Sequence, residues 1–99
     1  MTVKLINRNE TGEFIIEGKL DANTSPELEK LILANAERFG KIILNFSGLT
    51  YISSAGLRVV KILHMTMKKS GGELAVTNVS PTVMEVFEMT GFSQLLNFE

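Results

Sequence analysis

The chain has 99 residues, of which 44% are hydrophobic and 21% are charged, and this composition is typical of one globular domain rather than of a disordered tail. Ten basic and eleven acidic side chains give a net charge of −1, so no strong field attracts nucleic acid or anionic lipid. The absence of cysteine excludes disulfides and thiolate metal sites, and no apolar run approaches the roughly 20 residues that span a bilayer. We expect a single cytoplasmic domain over residues 1–99 that carries no cofactor.

The chain opens with a pattern that predicts a β-hairpin. Residues 3–6 and 13–18 are two β-prone runs, and a polar, glycine-containing segment at residues 9–12 separates them. Such an antiparallel pair makes the sheet mixed once parallel strands join it.

The next segment carries the signals of a helix start. Thr24 and Glu27 have the spacing of a capping box, whereas Ser25 before Pro26 fits an N-cap and a first helical residue. Gly40 is expected to end this helix as a left-handed C-cap. The side chains expected on the inner face recur at helical spacing: Leu28, Leu31, Ile32 and Phe39.

Residues 41–46 form a continuous apolar run, which predicts a strand that is covered on both faces. A second helix follows and is expected to end near residues 70–72. Its inward side chains are Leu57, Val60, Leu63 and Met67.

The last third of the chain predicts one more strand and one more helix. Residues 73–77 form a short buried strand, and Ser80 with Pro81 begins a helix that Gly91 closes. The inward side chains of this helix are Val83, Met84 and Phe87, and residues 95–98 form a short last strand or a packed tail. The order β-β-α-β-α-β-α-(β) predicts an α/β fold, with a mixed, mostly parallel sheet and helices packed on it.

Conventional catalytic sites find little support in these residues. His64 lies ten positions after Ser54 on the same predicted helix, which separates the two by about 15 Å and excludes a serine–histidine pair. One histidine without cysteine leaves no cluster of transition-metal ligands, and Gly71 and Gly72 precede a strand, whereas a phosphate-binding loop follows one. We expect a protein that is not an enzyme. A small hydrolase that uses Ser54 is an alternative, which labelling by a fluorophosphonate probe would support.

The segment from Ser53 to Leu57, at the start of the second helix, fits two interpretations. A serine at this point can cap the helix, which contributes about 1 kcal/mol. The free N–H groups and the dipole of a helix N-terminus also favour an anion. A phosphate on Ser54 would therefore be tolerated by the fold while it adds a charge of about −1.5 to −2. The segment is suited to a switch as well as to a simple cap.

Several motifs resemble those of the STAS domains of bacterial anti-sigma factor antagonists. Residues 42–57, with the sequence IILNFSGLTYISSAGL, resemble the strand, turn and helix start that form the signature of that family. Weaker likenesses are GKLD at residues 18–21, GGEL at residues 71–74 and VFEMTGF at residues 86–92. Each motif alone is weak, but together they cover the chain in the family's order, and the resemblance implies a STAS-like fold.

The resemblance also implies a partner-switching function. In that family the unmodified protein binds a serine-kinase anti-sigma factor and so frees a sigma factor. The kinase then phosphorylates the antagonist, which dissociates, and a metal-dependent serine phosphatase restores it. The modified position of the family corresponds to Ser54. Ser53 stands where most members carry aspartate, and it is a second candidate acceptor.

Partner-binding residues follow from the same resemblance. They are Asp21, Thr24, Ser53, Ser54, Gly56, Leu57, Arg58 and Lys61. Asp21 is expected near the phosphoacceptor, although an aspartate there is equally well explained as a turn residue. Gly56 would let the backbone of a partner approach closely, and Leu57 would lie at the rim of the contact or beneath the helix.

The outer face of the second helix carries what we call the basic stripe, formed by Arg58, Lys61, Met65 and Lys68. The stripe is either a solvated face or a surface that meets acidic groups of the kinase, with Met65 as an adaptable apolar contact.

Other functions stay open. A STAS scaffold that is never phosphorylated and holds partners in a larger signalling assembly is the first. A lipid- or nucleotide-binding sensor, suggested only by the five methionines and the modest hydropathy, is the second. We expect neither a nucleic acid nor a membrane as a partner, and a monomer or weak dimer.

Overall fold

Five strands form one mixed sheet in the computed structural model, which describes residues 1–99. Their order in the sheet is the same as their order in the chain. β1 pairs with β2 in antiparallel fashion, and all other neighbouring strands are parallel. The strands are β1 (Thr2–Arg8), β2 (Thr11–Leu20), β3 (Lys41–Ile52), β4 (Glu73–Thr77) and β5 (Asn97–Phe98).

The connections between the parallel strands are helical. The helices are α1 (Ser25–Asn35), which continues into one 3₁₀ turn (Ala36–Arg38), α2 (Ser54–Lys69), α3 (Pro81–Met89) and α4 (Phe92–Leu95). The predicted order of elements is confirmed, with α4 as an addition. None of these helices combines the length and the apolar character needed to cross a membrane.

The hydrophobic core lies on one face of the sheet. Along β3 the side chains of Ile42, Leu44 and Phe46 are fully buried, whereas Lys41, Ile43 and Asn45 are only partly covered. This alternation follows from the two-residue period of a strand. The prediction that β3 is covered on both faces was wrong, because the helices lie on one face only. We call the other side of the sheet the open face.

All three long helices contribute to this single core. α1 buries Leu28 and Ile32, and α2 buries the four predicted side chains Leu57, Val60, Leu63 and Met67. α3 buries Val83 and Phe87, with Met84 partly covered. The Phe87 ring stacks on Phe46 of β3 with ring centroids 6.4 Å apart, which fixes α3 against the sheet.

The end of α1 differs from the prediction. The helix ends before Phe39, which has extended backbone angles (φ −126°, ψ 136°) and is buried with its ring beside Gly12 of β2. Leu31, expected inside, is 38% exposed. Gly40 does not have a left-handed backbone; instead its N–H donates to the Glu10 carbonyl and its carbonyl accepts from Glu73 N–H. Gly40 therefore links the start of β3 to the neighbouring strands and does not cap α1.

The turns and the remaining helix ends follow local sequence signals. Asn9 supplies the positive φ (66°) that the tight β1–β2 turn requires. The Ser80 hydroxyl accepts a hydrogen bond from the Val83 N–H and caps α3, and Gly91 follows that helix with φ 81°. The C-terminal segment is a short helix and then a two-residue strand. The strand is one of the two alternatives that the sequence left open for residues 95–98, and the helix was not predicted.

Candidate functional site

The parallel register of β2 and β3 brings two loops together at one edge of the sheet. Lys19 lies opposite Tyr51, and Leu20 lies opposite Ile52, so both strands end side by side. The Ser53 N–H donates to the Leu20 carbonyl at 2.9 Å and ties the two strand ends together. The loop at residues 21–24 therefore lies beside the start of α2. We call this edge the switch edge.

Asp21 organises the first of these loops. Its Oδ1 accepts the backbone N–H groups of Asn23 at 2.9 Å and Thr24 at 3.1 Å, and its carbonyl accepts the Ser25 N–H. The N–H groups of Thr24 and Asn23 hold the pKa of the Asp21 carboxyl below its ordinary value, because they favour the ionised form. Asp21 is thus a charged carboxylate in a fixed position, as well as the turn residue that the alternative interpretation proposed.

Thr24 holds the same loop and does not cap α1. Its hydroxyl accepts the Asp21 N–H at 2.9 Å and donates to the Lys19 carbonyl at 2.8 Å. No side-chain hydrogen bond caps the helix at this point, so the predicted capping box with Glu27 was wrong. The helix instead begins after a turn stabilised by Asp21. The role of Thr24 in this geometry is to position the loop.

Ser53 and Ser54 have different environments. The Ser53 hydroxyl accepts the Gly56 N–H at 3.3 Å and caps α2, and the residue is half-buried. Ser54 is the first residue of α2 and is exposed, and its hydroxyl forms no hydrogen bond within the chain. The capping residue and the free hydroxyl are therefore adjacent but separate groups.

Gly56 fixes how closely α2 approaches the end of β2. A Cβ atom at this position would lie 2.7 Å from the Leu20 carbonyl oxygen and 2.8 Å from the Ile52 side chain. Both Gly56 and Leu57 are buried. The prediction that Gly56 admits the backbone of a partner was wrong, because the backbone it admits is that of Leu20. Leu57 packs beneath α2, which is one of its two predicted places, and contributes to the core.

The basic stripe is exposed along its whole length. Arg58, Lys61 and Lys68 are exposed, and Met65 is 55% exposed among them. The ion pairs of the structure involve only Arg8 and Lys41 as cations, so no carboxylate within the chain neutralises the stripe. A shallow depression of about 400 Å³ lies beside Met65 and Lys68.

The structure brings most of the predicted partner-binding residues to one surface. Asp21, Ser53 and Ser54 lie at the switch edge, and Arg58 and Lys61 follow along α2. Tyr51, which sequence analysis did not single out, is 50% exposed at the end of β3. The sequence predicted that this strand ends at Phe46, whereas β3 continues to Ile52. A prediction of the longer strand would have placed Tyr51 at the switch edge.

The profile of the STAS domain family matches residues 3–99, and the chain belongs to this family. Among its relatives is BtrV of Bordetella bronchiseptica, whose name makes it a candidate anti-sigma factor antagonist. It is 35% identical over 78 residues, which are 78% of this chain and 67% of the relative. The anti-sigma-B factor antagonist of Bacillus subtilis is 27% identical over 82 residues, which are 83% of this chain and 75% of the relative.

Solved structures show the same fold. The anti-sigma factor antagonist SpoIIAA in its unphosphorylated form superposes with a TM-score of 0.78 at 22% identity, over 99% of this chain and 87% of SpoIIAA. The phosphorylated form of the Bacillus cell fate determinant SpoIIAA gives the same TM-score at 23% identity, over 99% of this chain and 91% of SpoIIAA. The predicted STAS-like α/β fold is confirmed.

Proposed function

We propose that this protein is an anti-sigma factor antagonist whose docking surface is controlled by phosphorylation of Ser54. Membership in the STAS family and the names of the relatives support the class of function. The observation that carries the switch is the exposed Ser54 hydroxyl, which forms no hydrogen bond although the helix that it begins is already capped. A kinase can therefore modify this group without breaking an existing contact.

The proposed partner is an anti-sigma factor that is also a serine kinase. Unmodified, the protein binds this kinase through the switch edge and the basic stripe, and the kinase releases its sigma factor. ATP bound to the kinase then transfers its γ-phosphoryl group to Ser54 Oγ, whose proton leaves as ADP forms. A metal-dependent phosphatase hydrolyses the ester to serine and inorganic phosphate. In this scheme the protein acts by binding and not as an enzyme, in the cytoplasm where transcription takes place.

A phosphate is sufficient as the dissociation signal. A loss of affinity of a hundredfold to a thousandfold requires about 2.8–4.1 kcal/mol. Burying an unpaired dianion against the surface of a partner costs several kcal/mol. The switch therefore requires no change of fold. Asp21 adds to the effect, because its fixed carboxylate in the adjacent loop gives the modified edge a second negative group.

The environment of the two serines favours Ser54 over Ser53 as the acceptor. Phosphorylation of Ser53 would occupy the oxygen that accepts the Gly56 N–H, whereas Ser54 has no such role. The capping role also accounts for serine where most STAS antagonists carry aspartate, because both residue types are strong N-caps. A serine at position 53 therefore still caps α2, but it lacks the negative charge that an aspartate would place beside Ser54.

The basic stripe supports an acidic docking surface on the kinase. Its cations have no carboxylate partner in this chain, and Met65 offers an exposed apolar contact between them. Complementary charge of this kind increases the association rate more than it increases affinity.

Two substitutions of Ser54 test the proposal. Ser54→Asp is expected to weaken binding to the kinase about tenfold or more, whereas Ser54→Ala keeps the affinity of the unmodified protein. The partner is first captured from the native cell with the wild-type protein and with Ser54→Asp, and the affinities are then measured by calorimetry. Tight binding by both variants removes Ser54 from the mechanism.

Mass spectrometry after incubation with the captured kinase and ATP identifies the acceptor. We expect one phosphate on the wild-type protein and on Ser53→Ala, and none on Ser54→Ala. Modification of Ser54→Ala at Ser53 would contradict the assignment. The absence of any mass shift would support a scaffold that is not phosphorylated.

A further inference from the structure

Ser54 and Arg58 lie on one face of α2, one turn apart. Their spacing of four residues places them about 6 Å apart along the helix axis, with Cβ atoms about 5–6 Å apart. Ser54 also continues the basic stripe, because positions 54, 58, 61, 65 and 68 follow the alternating four- and three-residue spacing of one helix face. The two side chains line a shallow depression of about 330 Å³ with Ala55.

The direction of helical side chains brings Arg58 towards Ser54. In an α-helix long side chains lean towards the N-terminus and cover the preceding turn. The turn that precedes Arg58 contains Ser54, and only the small Ala55 shares the depression with them. An acidic group that precedes a basic group by four residues is the favourable orientation of such a pair.

Arg58 has no competing partner in the unmodified protein. Its guanidinium is exposed and forms neither an ion pair nor a hydrogen bond with another residue of the chain. The residue before Ser54 is Ser53 rather than an aspartate, so no carboxylate next to Ser54 attracts the Arg58 guanidinium. The carboxylate of Asp21, in the neighbouring loop, already accepts two backbone N–H groups.

We infer that Arg58 binds the phosphate of phosphorylated Ser54 within the same chain. This inference rests on the proposed function for the identity of the modified residue. The guanidinium presents a planar fork of N–H donors that matches two phosphate oxygens, and a lysine at the same position would offer only a point charge. The interaction requires no movement of the backbone, because both residues belong to one helix.

The consequence is that a single modification changes the docking surface in two ways. The phosphate adds negative charge at the switch edge. The guanidinium of Arg58 pairs with this phosphate and is then no longer available to a partner. The stripe then presents only Lys61 and Lys68 to an acidic partner. Arg58 thus couples the state of Ser54 to the surface along α2.

The second ionisation of the phosphate measures this contact. Phosphoserine is installed at position 54 during synthesis, without any kinase, and its titration is followed by ³¹P NMR near the ordinary pKa of about 6. A bound guanidinium favours the dianion and lowers this pKa. We expect Arg58→Gln to raise the phosphate pKa by about half a unit or more, and Arg58→Lys to raise it by less.

Lys61→Gln is the matched control, since it also removes one positive charge from α2 but lies about 10 Å from Ser54 along the axis. It is expected to leave the phosphate pKa almost unchanged. Equal pKa values in the wild-type protein and Arg58→Gln would overturn the inference, as would an equal shift in Lys61→Gln. Because the test uses neither kinase nor partner, its failure leaves the proposed function standing. Failure of the kinase to modify Ser54 would overturn the proposed function and leave this titration interpretable.

Discussion

The open face of the sheet and the outer face of α2 both carry basic side chains, yet these side chains have different contacts. On the open face, Lys41 Nζ lies 2.7 Å from Glu99 Oε2, and Arg8 Nη2 lies 3.0 Å from Glu13 Oε1. The hydrogen bond that the Lys41 ammonium donates to Glu99 raises the pKa of Lys41, because it favours the charged form. On α2, Arg58, Lys61 and Lys68 have no carboxylate partner.

This difference separates charges that serve the fold from charges that are available to a partner. On the open face, the side chain of Asn45 donates a hydrogen bond to Glu13 and accepts one from Asn78. These polar side chains are therefore already hydrogen-bonded to one another. A protein docking there would have to break these contacts. Docking along α2 breaks none. The contrast therefore supports the proposal that the interaction surface lies on the helix side of the molecule and begins at the switch edge.

The largest expected effect comes from Gly56→Ala, which would disturb the switch edge through packing. The new Cβ would lie 2.7 Å from the Leu20 carbonyl oxygen, so α2 or the end of β2 must move. We expect a loss of about 1–3 kcal/mol in the free energy of unfolding, measured by urea denaturation.

Gly40→Ala is the control for this prediction, because the nearest atom to its Cβ lies 4.0 Å away and its backbone is not left-handed. Its stability should remain within about 1 kcal/mol of the wild-type value. Equal losses in the two variants would show that the close approach of α2 to β2 is not what limits substitution at Gly56.

The second-largest expected effect concerns Asp21. Two substitutions separate the contribution of its hydrogen bonds from that of its negative charge. Asp21→Asn keeps an oxygen that accepts the Asn23 and Thr24 N–H groups, whereas Asp21→Ala removes it. We expect a lower thermal midpoint for Asp21→Ala than for Asp21→Asn. For the phosphorylated protein, we expect Asp21→Asn to recover part of the lost affinity for the kinase, because one negative group is removed.

The pH dependence follows from the lowered pKa of Asp21. A carboxyl group with a lower pKa in the folded state stabilises the protein above its ordinary pKa of 3.8, and this contribution is lost as the pH falls through the folded value. The difference in thermal midpoint between the wild-type protein and Asp21→Asn should therefore narrow below pH 3.8. A difference that is constant from neutral to acidic pH would contradict the role of the charge.

The smallest effect is kinetic and compares the two faces directly. Lys61→Glu on the basic stripe should slow association with the kinase several-fold at low salt, and less at high salt, with little change in thermal stability. Lys4→Glu makes the same change of charge at an exposed position of β1 on the open face. Stopped-flow measurements should show no comparable slowing for Lys4→Glu. Equal slowing would mean that net charge, and not the stripe, governs association.

Much of the fold could be predicted because local signals agreed with the packing. The period of Leu57, Val60, Leu63 and Met67 placed α2 correctly, and Ser80 with Pro81 placed α3. The end of α1 could not be predicted, because Phe39 is buried and continues the helical spacing although it lies beyond the helix in extended backbone. Helical spacing of apolar residues does not show whether a buried side chain belongs to the helix or to the segment that follows it.

The candidate site shows the same limit. The motif around Ser54 and the spacing of the basic stripe were visible in the sequence, and the structure leaves Ser54 and the residues of the stripe exposed. The contact between Gly56 and the Leu20 carbonyl was not visible, because it joins residues 36 positions apart through the register of β2 and β3. The division of roles between Ser53 and Ser54 likewise required the hydrogen bond from Gly56.

The central claim is that a phosphate on Ser54 changes the docking surface while the scaffold stays the same. The most direct test compares the protein carrying phosphoserine at position 54 with the unmodified protein, by amide NMR spectra and by affinity for the kinase. We expect shifts confined to residues 20–24 and the first two turns of α2, together with an affinity lower by about a hundredfold or more. Unchanged affinity, or shifts that spread through β3 and β4, would contradict this account.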